Sequence, residues 1–331
     1  MAEMAAHATS APRPARGLLT GNLLPIAIFL AFAAVPLFAT LTAEAYVLGL
    51  VTRVIIFAIA ALALDLLIGY GALISFGHAA FIGLGAYAVG ILGAHGFSDA
   101  LISLPVALTA SALFAYLTGI VCLRTRGVYF IMITLAFGQM AFFTASSLAP
   151  YGGDDGLTVQ TRSTLAGLHV LDSDRALYYV CFACLLGVYL LCRALVASRF
   201  GRVYRGAREN ALRMATIGYE VYRFQLVAYV IAGTLAGLAG FLLANATEFV
   251  SPAYMSWQRS GELLIMVIFG GMGTLNGAII GAAAFLLTEE WLSGVTEHWK
   301  VIFGPLLVLV AVFARGGLIG VTEKLRRMIR G

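Results

Sequence analysis

Charge is scarce in this chain. Of its 331 residues only 11% are Asp, Glu, Lys or Arg, whereas 61% are hydrophobic, so a water-soluble globule would have nowhere to put its apolar surface. Lysine is almost missing: Lys300 and Lys324 are the only two, and neither follows a GxxxxG stretch. That removes the phosphate-binding loop, whose lysine reaches the nucleotide phosphates, and with it ATP hydrolysis by that route. HExxH and GxSxG motifs are absent, as is any carboxylate constellation in a polar segment, so no enzymatic chemistry is expected. Cysteine is sparse too. Cys122, Cys181, Cys184 and Cys192 sit in or beside apolar runs, and the CxxC of Cys181 and Cys184 has no second pair or nearby histidine, so it reads as packed helix and not as a metal site. No metal, bound cofactor or disulfide framework is expected.

What the chain does have is apolar length. Hydrophobic segments fall near 23–41, 46–69, 72–94, 101–122, 127–148, 176–197, 224–247, 261–290 and 300–315, and most reach the ~20 residues a helix needs to cross the hydrocarbon core. The bilayer is the solvent. The net charge of +5 sits in segments flanking these runs and forms no basic stripe for nucleic acid. Residues 1–22, rich in Ala, Ser, Thr, Pro and Arg, read as a disordered cytoplasmic tail. Ala43-Glu44-Ala45 resembles a signal-peptidase site, but the apolar run before it is longer than a signal core, so an uncleaved anchor is expected.

Basic residues orient such a protein, because they stay on the cytoplasmic side. With Arg13 and Arg16 inside, Arg124 and Arg126 fall inside after four spans. The loop at 150–175, with Asp154, Asp155, Asp172 and Asp174, then falls outside, and the Arg-rich loop at 198–223 falls inside. Nine single crossings would leave Arg315 and the basic tail at 317–331, with Lys324, Arg326, Arg327 and Arg330, outside. One segment must therefore cross twice or re-enter. The candidate is 261–290, interrupted by the glycine-rich run from Gly270 to Gly277. Two short half-helices joined there give about ten transmembrane segments, an all-α bundle over 23–316 and two cytoplasmic termini. Such a break is also a pathway candidate. Gly273, Gly277 and Gly281, spaced four apart, and Gly233 with Gly237 each make a small helix face for close packing.

The loop at 198–223 carries Arg199, Arg202, Arg205, Arg208, Arg213 and Arg223 against Glu209 and Glu220. As a helix over 202–217 it places Val203, Ala207, Ala211 and Met214 on one face and Arg202, Arg205, Arg208 and Arg213 on the other. Ser198 can cap its start and Gly218 suits the turn that ends it. This is a surface helix able to dock a cytosolic partner. Within the membrane, Ser75 and His78 are expected on one helix face and can bond a polar solute. Asp65, Gln139, Glu262 and Asn276 complete the polar pathway candidates; an ionised Asp65 there costs ~3 kcal/mol unless paired or wetted. Arg53, twelve residues along the same helix, is too far to pair with it.

The run GYGALISFGHAAFIGLGAYAVG from Gly69 resembles the signature of branched-chain amino acid type ABC importer permeases, the LivM-like subunit. RGVYFIMITLAFGQM from Arg126, YGGDDGL from Tyr151, SRFGRVYRGARENALRMATIGYEVYRFQLVAY from Ser198 and GGMGTLNGAIIGA from Gly270 continue the resemblance in order along most of the chain. It implies a subunit of the bacterial cytoplasmic membrane that works by alternating access. The implied partners are two ATPase subunits that use ATP, a second LivH-like permease and a periplasmic solute-binding protein. Carried over, the ATPase-coupling element falls on Arg199, Gly201, Arg202, Arg205, Arg208, Glu209, Asn210 and Gly218, with Arg208, Glu209 and Asn210 matching the family's REN stretch. Members of that family often have Asn where this chain has Asp65. Branched-chain amino acids lead as substrates; urea, amides and aromatic or organic acids are carried by similar permeases. The other class of reading is an ion-coupled secondary transporter built on Asp65 and the broken segment.

Overall fold

The computed structural model describes residues 20–42, 45–164, 167, 170–296, 298, 301–305, 316–318 and 320. The two expected tails lie almost entirely outside the described residues, as do Arg13, Arg16, Arg315 and the tail charges, the site at 43–44 and most of the span expected at 300–315. Ten α-helices follow one another: α1 (Thr20–Thr42), α2 (Ala45–Gly71), α3 (His78–Ala94), α4 (Ala100–Cys122), α5 (Val128–Ser146), α6 (Asp174–Ala197), α7 (Arg199–Thr216), α8 (Val221–Thr247), α9 (Trp257–Gly270) and α10 (Leu275–Val295). Among the described residues six of these, α2, α4, α5, α6, α8 and α10, are long and apolar enough to cross a membrane. The protein is an all-α membrane protein.

Burial sorts the helices. α2 and α8 are buried along most of their length, whereas α4, α5 and α6 bury a quarter of theirs or little more. α8 is the central post, packed on α2, α3 and α4. Small residues make that packing possible, since hydrocarbon gives helices no hydrophobic drive to associate and close backbone contact must supply it. A Cβ at Gly85 would meet the carbonyl of Gly237, one at Gly237 the Ser111 hydroxyl, and one at Gly233 the Ala115 methyl at 2.6 Å.

The segment expected as two half-helices is a helical hairpin. α9 has 14 residues and α10 has 21, rises of about 21 and 32 Å, so the second is a full-length helix. The turn between them is the four residues 271–274, where Gly271 (φ 115°) and Gly273 (φ 77°) take left-handed conformations. Gly273 therefore precedes the helix and does not share a face with Gly277 and Gly281. Those two lie against α9: a Cβ at Gly277 would approach the carbonyls of Gly271 and Gly270 at 2.8 and 2.9 Å, and one at Gly281 would collide with that of Met266.

The second departure lies at 72–94. α3 begins only at His78, and residues 72–77 are unwound, starting with Ala72 in the left-handed region (φ 54°).

At the end of the bundle away from these two turns, β1 (Leu157–Thr158) pairs antiparallel with β2 (Phe249–Val250). Arg162, its side chain 13% exposed, binds Asp174 at 2.7 Å and Glu248 at 2.8 Å, and also donates to the carbonyls of Leu171 and Asp172. Asn245 accepts from the Ser163 amide at 2.8 Å. The long acidic loop is thus stitched to the end of α8.

Gly240 tests the central post, because a Cβ there would strike the backbone carbonyl of Ile82, which has no rotamer to escape into. Gly240→Val is expected to cost about 1–3 kcal/mol through overpacking. The check is the thermal unfolding midpoint of the purified protein in detergent, which should fall.

Candidate functional site

Three irregular pieces of chain meet at one end of the bundle: the unwound stretch 72–77, the hairpin turn 271–274 and the loop helix α7. α2 connects them. The Asp65 carboxylate, fully buried, accepts a hydrogen bond from the Gly273 amide at 2.7 Å. One turn further on, the Gly69 carbonyl accepts from the Arg208 guanidinium of α7. Gly69 has to be glycine, because a Cβ would overlap both the Asp65 carboxylate and the Gly273 backbone. Asp65 is thus held by the backbone of the hairpin, and Arg53 instead lies 5.9 Å from the Phe57 ring on its own helix.

The unwound stretch runs beside α5. Gly77 contacts the backbone at Thr134 and Gly138, while residues 71–74 share a cavity wall with Gly127 and Phe130; between Gly127 and Gly138 a helix rises about 16 Å. Non-helical backbone at membrane depth needs protein partners for its polar groups. One is in place, the Phe76 amide donating to Thr134 Oγ1 at 3.2 Å, and just beyond, in the first turn of α3, the Ala79 amide donates to Ser260 Oγ at 3.1 Å. Ser75 and His78 are both fully buried. They do not share a helix face, since Ser75 lies in the unwound stretch and His78 opens α3. The Ser75 hydroxyl faces that of Tyr229, whereas among the described residues both His78 ring nitrogens have no hydrogen-bond partner, and the His78 ring meets Phe81 edge-on at 5.4 Å.

The remaining polar candidates are separate from this cluster. Asn276 accepts from the Tyr189 hydroxyl at 2.9 Å, tying α10 to α6. Glu262 is paired with Arg259 at 2.6 Å. Gln139 is half-buried on α5, in a shallow depression with Met140 and Phe143. Thr134 and Ser260 were not singled out from sequence; the available signal was a hydroxyl side chain in or beside an apolar run.

α7 is two helical pieces. Ser198 caps the first, accepting from the Gly201 amide at 3.3 Å. Asn210 breaks it (φ −156°, ψ 96°) and caps the second, accepting from the Arg213 amide at 2.9 Å; Gly218 (φ 97°) follows. Val203, Tyr204 and Ala207 are buried, and Phe200 stacks on Tyr204 and Phe224 at 6.0 and 5.5 Å. Arg202 and Arg205 bond carbonyls at the end of α6. Arg208, expected on the outer face, reaches inward to Gly69 because its long stem spans the gap to α2. Glu209 and Asn210 stay exposed, and the second piece presents Leu212 (75% exposed) followed by Ile217 (64%).

Comparison with known proteins decides the family. The profile of the branched-chain amino acid transport system / permease component family matches residues 46–311. This chain belongs to that permease family. Its similar relatives include the high-affinity branched-chain amino acid transport system permease protein LivM of Salmonella typhimurium, 28% identical over 82% of this chain and 69% of the relative. LivM of Escherichia coli K12 is 27% identical over 85% and 71%. The probable branched-chain amino acid transport permease LivH of Methanocaldococcus jannaschii is 31% identical over 46% of this chain and half of its own length. No solved structure matches the chain. The matched stretch of this permease contains every irregular piece of the site, from Asp65 to the hairpin turn.

The bond from Asp65 to the hairpin turn makes a sharp prediction. Asp65→Asn keeps an oxygen for the Gly273 amide and should leave stability and uptake near the parent level. Asp65→Leu strands that amide at a cost of about 1–3 kcal/mol. Thermal unfolding and uptake measured side by side should separate the two variants.

Proposed function

We propose that this chain is a membrane subunit of a bacterial ABC importer that carries branched-chain amino acids across the cytoplasmic membrane. Its partners in this reading are two ATPase subunits, a second LivH-like permease and a soluble binding protein that delivers solute to the outer face. The chain itself binds no nucleotide. The observation that carries the proposal is the join between α7 and the membrane core, through Arg208 to Gly69 and, one turn away on α2, Asp65 to Gly273. A partner pushing on α7 moves the end of α2, and with it the hairpin turn and the foot of the unwound stretch. That is the linkage alternating access needs.

The basic residues support the sidedness. α7, the α4–α5 turn with Arg124 and Arg126, and the hairpin turn share one end of the bundle, which the positive-inside rule assigns to the cytoplasm. α1 to α6, α8 to α10 and the chain beyond 296 then make about ten passages, with the core at 23–316, tails at 1–22 and 317–331 inside, and the loop at 150–175 outside. The solute route follows the unwound stretch, where His78 has spare hydrogen-bonding capacity beside Ser75 and broken helices commonly hold substrate. The exposed Leu212 and Ile217 are the apolar contacts through which α7 docks.

Purification of the subunit from its native membranes should bring with it two phosphate-loop ATPases and a second permease. Leu212→Glu is expected to lower ATP-driven leucine uptake by about tenfold, the loss of about 1.4 kcal/mol at the docking contact, with normal insertion. Undiminished uptake would remove α7 as the docking element. Uptake by the isolated chain under an ion gradient would replace the ABC reading with a secondary transporter.

A further inference from the structure

The turn between α4 and α5 borders a cavity of about 270 Å³ at the end of the bundle that carries α7. Two guanidiniums line it, Arg126 from the turn and Arg208 from α7, and Thr125 and Gln225 add neutral polar groups. No acidic side chain stands in the wall among the described residues. Arg126 has no ion pair or hydrogen bond among those residues. Arg208 spends Nη1 on the Gly69 carbonyl, which leaves its other nitrogens without an acceptor among the described residues. The charge of Asp65 reaches Arg208, but that carboxylate is buried a turn earlier on α2 and outside the wall. The first turn of α5 has the same sign. Its Gly127 cap offers no side-chain bond, no acidic residue follows in the turn, and the amides of Val128, Tyr129 and Phe130 donate to no carbonyl among the described residues, so the positive end of the helix is left open. Such a cavity repels cations and attracts an anion.

Depth and surroundings identify the anion. Arg126 stands two residues before the span that begins at Val128, which puts the cavity at the level of lipid headgroups. α4 and α5 are outer helices with little of their surface covered. Val128 and Tyr129, in the first turn of α5, are 64% and 76% exposed, apolar and aromatic groups suited to the membrane interface. A lipid lying along this face brings its headgroup to the cavity, and a planar guanidinium binds phosphate oxygens in pairs. We propose that this cavity is a binding site for the phosphate of an anionic phospholipid, held between Arg126 and the free side of Arg208. In the orientation proposed above, the lipid belongs to the cytoplasmic leaflet. The assignment is independent of the solute carried. It bears on coupling, because Arg208 also holds α7 to Gly69, and a phosphate bound to both arginines ties the α4–α5 turn to the docking helix. Leaflet composition then acts on the same side chain through which α7 moves the membrane core.

The test uses the complete assembly purified in detergent, with Gln225→Cys as a reporter of access by an uncharged thiol reagent. The native cysteines Cys122, Cys181 and Cys192 are buried, and labelling of the parent protein gives the background. Phosphatidylglycerol at twice its dissociation constant should slow labelling about threefold by occupancy, while phosphatidylcholine, with no net charge, should protect much less. Thr216→Cys, exposed at the end of α7 and outside the cavity wall, should label at the same rate with either lipid, which separates site occupancy from a general effect of anionic micelles. Arg126→Gln should weaken protection by phosphatidylglycerol about fivefold in apparent affinity, and Arg126→Lys, which keeps the charge, should retain most of it. Equal protection by phosphatidylcholine, equal slowing at Thr216→Cys or an affinity unchanged by Arg126→Gln would overturn the site. Equal protection by inorganic phosphate would overturn the lipid as its occupant in favour of a soluble anion. Detergent solution has no sides, so each of these failures counts against the site and leaves the proposed orientation and import function standing.

Discussion

Backbone amide and carbonyl groups at membrane depth have no water to bond, so each departure from helix must be answered by a partner elsewhere in the protein. That constraint organises this structure. The hairpin turn is answered by Asp65, whose carboxylate takes the Gly273 amide. The unwound stretch is answered by Thr134 from α5, and the free amide in the first turn of α3 by Ser260 from α9. The end of α2 is answered in part by Arg208 from the loop helix. Each bond joins elements distant in sequence, so the irregular pieces are also the places where the helices are tied together.

The arrangement links packing to function. Glycines at 69, 77 and 273 let backbones approach closely enough for these bonds to form, and a side chain at Gly69 or Gly77 would displace the neighbouring backbone. Helices that slide past one another through small-residue contacts can shift without opening large voids. Helices tied by a few buried polar bonds shift together. The site therefore combines a permissive seam with discrete connections, and α7 is joined to it through Arg208 on the Gly69 carbonyl and Tyr204 against Gly71.

Much of this was legible in the sequence because it depends on composition and period. Apolar runs marked the spans, the excess of arginine marked the loop helix, and the glycine run from Gly270 marked the hairpin turn. Ser198, Gly218 and the buried Val203 and Ala207 fall where a helical wheel and ordinary capping chemistry put them. The unwound stretch was not legible. Residues 72–77 are as apolar as their neighbours, and what accompanies the break is tertiary: Gly71 packs against Tyr204 and Gly77 against the backbone at Thr134. Nor did sequence show the kink at Asn210, since the break depends on its side chain capping the piece that follows.

The sequence by itself determined that the chain lives in a bilayer, that it is helical, which family it resembles and which loop carries the charge, because hydropathy, periodicity and motif are local quantities. Only the tertiary structure decided which polar groups meet. Asp65 and Gly273 are 208 residues apart and Gly69 and Arg208 are 139 apart, and the cavity beside Arg126 is bounded by four separate stretches of chain. Such contacts arise from the way the helices stack, where close approach of glycine-bearing backbones fixes distances that no spacing along the chain encodes.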